Sequence, residues 1–514
     1  MERLQRGDVE RFRRLIATSL GLRVEDDRLD WLADILRQRV QQRGSASAAE
    51  YLAGMEVERG GREEWRVLAG QLTVVETYFF RSPEHFRALV NGVLPERIAL
   101  LKGRRPLRML SAGCASGEEP YSLAITVREH FPHLRPEDVT ITAFDINSKM
   151  LAQALSARYT DWSLRDVPQE LLRKYFQLNG KHYTLRRDIR SMVRLEERNL
   201  AAPGETIWEI EQYDVIFCRN VVMYLTAEAA RVAIERLRHA LCPGGFLFLS
   251  SAETLRGVSH GFHLRHADDC FYYQQREGAD EVEAGADLTQ APVPAAASVD
   301  ISWVEAVRRS SERVASLSQG MINDRASDTK VPPKAAVTEK LGRPAASAQS
   351  LGAVLELLQE ERFRDALQLL RTMPSRTTSD LDTQLLRAVI LTNCGEVTAA
   401  EAECRSVLCR DELNAAAHYV TAVCREHLSD RQGAMEHDRA AIYLDPAFAM
   451  PHLHLGLLAK RMGDIHAARQ ELQQALMLLG REDSSRILLL GGGFSRVALL
   501  EFSRAQLRAC GGTP

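Results

Sequence analysis

No apolar run in this 514-residue chain approaches the roughly 18–20 residues of a bilayer-spanning helix, so direct membrane insertion is not expected. Its first residues, MERLQRGDVERFRR, lack the apolar core of a secretory signal, and a cytoplasmic location is expected. Nine cysteines form no CxxC pair and read as reduced, mostly buried thiols. Fourteen histidines include no HExxH. His452 and His454 stand two apart and diverge on a helix, so no metal site is expected. A formal net charge of −3 supplies no excess that would draw the chain to nucleic acid or to an anionic membrane.

What is present is a chain long enough for two or three domains, with the 45% hydrophobic and 26% charged composition of a globular protein. Residues 1–72 read as helical: Phe12, Leu15, Ile16 and Leu20, then Leu32, Ile35 and Leu36, recur at helical spacing, with Gly21 and Gly44 as stops. Arg37, Arg39 and Arg43 crowd the end of one helix, either as a solvated face that suits the helix dipole or as a docking surface. From 73 to 276 the pattern becomes α/β. Strands are expected at Leu107–Leu110, Val139–Phe144, Val193–Glu196, Tyr213–Cys218 and Gly245–Ser250, with a final pair near His263–Arg265 and Phe271–Gln274. Alternation with helices implies a mainly parallel sheet covered on both faces. Residues 277–348 turn acidic, then rich in Ala, Pro, Ser and Val; they read as a flexible linker, interrupted by a short helix near Trp303–Leu317.

From 349 to 512 the chain repeats every 34 residues. Ala388, Ala422 and Gly456 form one column; Gly395, Ser429 and Gly463 a second; Ala400, Ala434 and Ala468 a third; Leu408, Ile442 and Leu476 a fourth. Small residues there let antiparallel helices approach, and the apolar column closes each pair. The period is that of the tetratricopeptide repeat. A degenerate unit at 351–376 places Ala366 in register with Ala400, and the tail from Leu488 with the helix after it is expected to cap the stack. Any ligand of such an array is a protein segment held in its concave groove.

Chemistry concentrates in four segments of the α/β region. Ser111-Ala-Gly-Cys-Ala-Ser-Gly-Glu-Glu-Pro-Tyr-Ser122 is a glycine-rich strand-to-helix turn, either a plain tight turn or the place where nucleotide-like cofactors sit. It carries Glu118 and Glu119 and no lysine, which argues against a phosphate and for a ligand with hydroxyls or positive charge. S-adenosylmethionine meets that description. Asp145, in Ala143-Phe-Asp-Ile-Asn147, ends the next strand, as an acceptor for ribose hydroxyls or as a helix N-cap. Glu197-Arg-Asn-Leu200 follows a third strand, where an adenine can be read. Phe217-Cys-Arg-Asn-Val-Val-Met-Tyr224 puts Arg219, Asn220 and Tyr224 at the carboxyl edge of the central strand.

Together with Glu76-Thr-Tyr-Phe-Phe-Arg81, these motifs resemble the CheR family, methyltransferases that use S-adenosylmethionine to esterify glutamate side chains of chemoreceptors. The resemblance covers residues 1–276, and the repeats look like those of CheR variants with C-terminal tetratricopeptide repeats. It implies a Rossmann-like α/β methyltransferase domain with an all-α N-terminal subdomain, followed after the linker by an all-α solenoid. It implies that Thr77, Arg81, Glu118, Asp145, Asn199, Leu200, Arg219 and Asn220 line the cofactor site. In that assignment Glu118 meets the amino-acid end of the cofactor, Asp145 the ribose, and Asn199 and Leu200 the adenine. Arg81 and Tyr224 would hold the acceptor carboxylate, with S-adenosylhomocysteine as the product. The implied partners are the cytoplasmic domain of a methyl-accepting chemoreceptor and an unidentified protein in the repeat groove. Two positions depart from the family. Val75 stands where asparagine is common, and the segment Tyr175–Thr184 has one glycine where receptor-tethered members carry a glycine-rich loop. A cofactor-binding scaffold without turnover and a methyltransferase for another acceptor remain alternatives.

Overall fold

The computed structural model describes residues 4–276, apart from 58–61, 203–210, 260 and 268–269, and residues 353–512, apart from 355, 359, 361, 373–380 and 493. The chain divides into two compact units, Met1–Asp287 and Leu288–Pro514. The expected linker at 277–348, with its short helix at 303–317, lies outside the described residues.

Four helices, Arg6–Leu20, Leu29–Arg43, Ala48–Val57 and Arg62–Leu72, open the first unit. Val9, Phe12, Ile16 and Leu20 recur at three- and four-residue spacing and bury one face of the first helix in a core with Leu32, Leu36, Leu52 and Leu68. Gly21 and Gly44 end their helices in left-handed conformation. Arg39 corrects the reading of the arginine cluster. It is buried, and its guanidinium donates to both oxygens of Glu64 at 2.8 and 2.6 Å, while Tyr51 Oη donates to the same carboxylate at 2.6 Å. Arg39 is therefore part of the helical core, and of the three only Arg37 and Arg43 reach the surface.

Ten strands follow: β1 (Leu107–Ala112), β2 (Val139–Asp145), β3 (Arg158–Tyr159), β4 (Phe176–Asn179), β5 (His182–Leu185), β6 (Val193–Glu197), β7 (Tyr213–Phe217), β8 (Leu241–Phe248), β9 (Phe262–Ala267) and β10 (Cys270–Gln275). Seven of them form one sheet in the order β6-β2-β1-β7-β8-β10-β9. The first five run parallel, while β10 is antiparallel to both its neighbours. Strand order reverses between β1 and β7, and the crevice at their carboxyl ends is where such sheets take ligands. At the opposite edge, the fully buried Asp214 of β7 is held by Arg97 and Arg105, each at 2.7 Å, and by Arg108 N–H at 3.0 Å. That charge anchors the sheet away from the crevice. The remaining strands make a small antiparallel sheet, β3-β5-β4, whose β4–β5 hairpin turns through Gly180 at φ +65°. Its two strands, Phe-Gln-Leu-Asn and His-Tyr-Thr-Leu, alternate polar and apolar residues over only four positions each, too short a pattern for the sequence to mark as strand.

In the second unit the helix pairs Leu381–Asn393 with Val397–Arg410, Ala415–His427 with Arg431–Leu444, and Ala449–Met462 with Ile465–Leu479 recur 34 positions apart. These are tetratricopeptide repeats. Ala388, Ala422, Ala400, Ala434 and Ala468 are fully buried where helices meet, and a Cβ at Gly456 would stand 2.9 Å from Leu472 Cγ. Two columns differ from expectation. Gly395, Ser429 and Gly463 take φ of +79, +66 and +85° between the paired helices, and no atom lies within 4 Å of a Cβ built at either glycine. That column is therefore set by a left-handed turn and not by close approach. Leu408, Ile442 and Leu476 are only half-buried; the closing column lies one residue earlier, at Val407, Ala441 and Ala475, all at 0% exposure. The final helix, Arg496–Ala509, lies on Ile465–Leu479 and buries Leu499, Ser503 and Leu507, as a cap does.

Candidate active site

Gly113 and Gly117, at φ +78 and +92°, turn the chain from β1 into the helix Glu118–His130. A Cβ at Gly113 would fall 2.3 Å from Val221 Cγ2, so the glycine is what lets the β7 loop close over the β1 loop. A cleft of about 1120 Å³, part of it continuous with solvent, opens there. Thr77, Arg81, Asp145, Asn199, Leu200, Arg219, Asn220 and Tyr224 all line it, as does Val75. Four motifs separated by up to 147 positions along the chain thus meet in one space.

Glu118 is the predicted site residue that the structure does not bring to the cleft wall. It is 1% exposed, and its carboxylate accepts hydrogen bonds from Ser116 Oγ at 2.7 Å and Ser163 Oγ at 3.1 Å. Burial raises its pKa. The next residue, Glu119, lines the cleft instead, accepting from Ser111 Oγ at 2.7 Å and facing Arg219 at 3.4 Å. Helical geometry turns adjacent side chains about 100° apart, and the sequence alone could not say which of the pair faced inward.

Asp145 is 8% exposed and accepts backbone N–H groups on both oxygens, from Ala115 at 2.8 Å and Asn147 at 2.7 Å. Burial outweighs those donors and raises its pKa from the ordinary carboxylate range. The helix cap is Asn147, whose Oδ1 accepts from Lys149 and Met150, so Asp145 does not serve as one. Arg219 is buried with its Nη2 on Arg81 O, and its Nε–H has no partner among the described residues. Burial lowers its pKa, against the pull of Glu119. Arg81 is half-buried, donates to Glu76 O at 3.1 Å and lies over the Tyr78 ring at 5.8 Å, with no carboxylate in ion-pair range among the described residues. Asn199 donates to Ser19 O at 3.4 Å and thereby ties the cleft to the first helix. The backbone repeats that tie: Arg23 N–H donates to Tyr224 O and Thr226 N–H to Gly21 O, each at 2.8 Å. Leu20, Leu22 and Leu72 consequently form part of the wall.

One supporting residue escaped the sequence reading altogether. Glu253, in the loop after β8, accepts from the N–H groups of Asn220, Val221, Met223 and Ser250 and from Ser250 Oγ, at 2.7 to 3.2 Å. This one carboxylate shapes the loop that presents Arg219, Asn220 (φ +59°) and Tyr224. A lone glutamate after a strand carries no signal of that task in the sequence.

The family description "CheR methyltransferase, SAM binding domain" matches residues 75–271. Chemotaxis protein methyltransferase 2 of Vibrio cholerae is 34% identical over 281 residues, which cover 54% of this chain and 96% of that protein. The chain belongs to the CheR methyltransferase family. Chemotaxis protein methyltransferase 1 of Pseudomonas aeruginosa is 31% identical over 52% of this chain and 98% of its own. The probable biofilm formation methyltransferase WspC of Pseudomonas putida is 27% identical over 92% of this chain and 99% of its own, so it aligns across both units. As a CheR methyltransferase, the protein acts with S-adenosylmethionine in chemosensory signalling. No histidine lines its cleft among the described residues, and the one cysteine that does, Cys114, has a thiol that burial holds well above its ordinary range. The wall therefore offers neither an imidazole base nor a thiolate nucleophile.

Proposed function

We propose that this CheR protein methylates glutamate side chains on the cytoplasmic domain of a methyl-accepting chemoreceptor, and that its repeats bind a protein partner. The convergence of Arg81, Asp145, Arg219 and Tyr224 on one cleft that offers no imidazole and no thiolate among the described residues carries the reading. A glutamate side chain, with a reference pKa of about 4.3, is already ionised at neutral pH and needs no base to remove a proton. The residues present suit S-adenosylmethionine: Asp145 keeps lone pairs for two ribose hydroxyls, Arg219 has an unpaired buried N–H, and Glu119 offers negative charge at the same end. Thr77, Asn199, Leu200 and Asn220 complete the cofactor wall, with Asn199 and Leu200 toward the adenine. When bound, S-adenosylmethionine supplies an electrophilic methyl group on a sulfonium and leaves as S-adenosylhomocysteine.

The chain's own contribution is alignment and exclusion of water. Arg81 and Tyr224 hold the acceptor carboxylate in line with the methyl group. Among the described residues no carboxylate pairs with Arg81, so it is available to one arriving from solvent. Leu20, Leu22 and Leu72 close the apolar side. Alignment with WspC over both units supports a system in which the repeats, and not the short β4–β5 hairpin, recruit the enzyme to its pathway. The name of that relative favours biofilm control as the output. Among the described residues no helix is long and apolar enough to cross a membrane.

The test is to incubate the full chain with methyl-labelled S-adenosylmethionine and receptor-containing membranes, and to measure alkali-labile label released as methanol. Label on receptors is expected. Alkali-stable label on another protein would reassign the acceptor, and cofactor binding without label would leave a scaffold.

A further inference from the structure

The tail of the repeat unit does more than cap it. Between the last repeat helix and the capping helix, residues 482–490 run back along the first helices of the repeats. Glu482 Oε2 accepts from Ala449 N–H at 2.7 Å, at the start of Ala449–Met462. Arg486 pairs with Asp445 at 2.9 Å and stands 4.9 Å over the Phe448 ring. Leu490 O accepts from Tyr419 Oη at 3.2 Å, on Ala415–His427. The helix Ser484–Leu490 also touches Leu381–Asn393. One short segment therefore reaches the first helix of three successive repeats, the side on which such arrays take their ligands. Ile487, Leu489 and Leu490 are 4, 2 and 4% exposed, and Tyr419, which they meet at Leu490 O, is buried.

The segment has the marks of a ligand and not of a repeat. It starts at Ser484, about where a further first helix would fall, yet its helix spans only seven residues against the 13 or 14 of the repeats' first helices, too few to be stable without its docking site. Gly480 precedes it and Gly491 and Gly492 follow it, residues whose wide backbone freedom gives the chain places to hinge once the hydrogen bond from Arg496 to Gly480 O is broken. Its contacts pair one end by charge and hydrogen bond and the other by three apolar side chains, the pattern by which an amphipathic helix lies in a groove.

We propose that residues 482–490 occupy the repeat array's own peptide-binding groove, and that a partner enters by displacing them. The partner is a short helical protein segment of matching chemistry: acidic residues just ahead of the helix, an arginine in its first turn, then two or three leucine-class anchors. This rests on the reading of the repeats as a protein-binding module and is independent of methyl transfer.

The test uses the full chain and a fluorescent peptide of residues 481–492. Arg486→Glu, Ile487→Asp and Leu490→Asp are combined to release the internal segment. The expected result is saturable peptide binding to the variant at least tenfold tighter than to wild type. Equal binding, or none to a variant with wild-type helical circular dichroism, overturns the proposal. Should the variant lose helical structure, amide hydrogen exchange on the wild type decides. Exchange at 484–490 at least tenfold faster than in both Ile465–Leu479 and Arg496–Ala509 supports a displaceable segment, and equal protection overturns it. The methanol assay on the same preparation tests the enzymatic reading separately, so either can fail while the other stands.

Discussion

Gly113 and Gly463 have nearly the same backbone conformation, φ +78 and +85°, and very different surroundings. Around Gly113 the chain has returned from more than 100 positions away, and Val221 fills the space a side chain would need. Around Gly463 nothing stands within 4 Å, because the turn serves only to join two helices adjacent in sequence. The contrast extends to the buried charges. In the methyltransferase unit, Arg219 and Asp145 are buried with bonding capacity left over. In the repeat unit, His454 is sandwiched between Asp438 and Glu426, each at 2.7 Å, as part of the packing. His452, two residues on the other side, pairs instead with Glu471 at 2.7 Å. The groups at the cleft line a space open to a ligand, whereas His454 and its two carboxylates answer one another inside the packing.

The largest expected effect lies in the repeats. His454→Ala leaves Asp438, at 0% exposure, as an unpaired buried carboxylate. The cost should be about 3–5 kcal/mol, seen as an earlier denaturation transition of the repeat unit with S-adenosylmethionine binding unchanged. Burial alone would lower the His454 pKa, but the two carboxylates carry it well above its ordinary 6.5. Its stabilisation is therefore complete below pH 6.5 and is lost as pH rises through the raised value. A pH series of the same transition should show that decline, and His454→Gln should flatten it.

Arg81→Ala should lower methyl transfer by about 10²-fold or more while the melting temperature stays put, since half-buried Arg81 supports no core contact. Near-normal turnover would sink its assignment to the acceptor carboxylate. The two glycines give the most direct comparison. Gly113→Ala should cost about 1–3 kcal/mol from the clash with Val221, and should lose S-adenosylmethionine binding as the loop is pushed open. Gly463→Ala should cost only about 1 kcal/mol, the strain of a left-handed alanine, and leave binding intact. Calorimetric titration with unfolding curves on both variants checks the pair, and equal effects would erase the distinction.

The smallest effect is one of pH. Burial raises Asp145 above its ordinary 3.8, so the group gains affinity for a proton on folding and its contribution to stability falls as pH rises through the raised value. Ribose binding needs the ionised form. Affinity for S-adenosylmethionine should thus weaken on acidification at a higher pH than an ordinary carboxylate would dictate, and Asp145→Asn should remove that dependence along with much of the affinity.

Much of this was legible in the residues. The expected strands correspond to the seven of the large sheet, Tyr213–Cys218 most plainly from its continuous apolar run, although β8 begins four residues before the expected Gly245; the 34-residue period named the repeats without any structure. Eight of the nine predicted site residues lie on the cleft. What was not legible shares a physical cause. Glu118 and Glu119 are chemically identical neighbours, and only the position of Ser163 and Arg219, brought from elsewhere, turns one inward and the other to the cleft. Arg39 looks like any surface arginine until Glu64 arrives from another helix. Glu253 shapes the site through a loop some 30 residues distant.

Local regularities were therefore set by the sequence itself: strand and helix identity, glycine turns, the repeat period, and the motifs that define the CheR family. They depend on backbone sterics and on apolar spacing within a few residues, and both are written contiguously. The tertiary structure alone decided which carboxylate faces the cleft, which arginine is core, and that residues 482–490 fold back over the repeats. Those outcomes depend on which distant groups share a buried space, where an unpaired charge costs too much to leave alone.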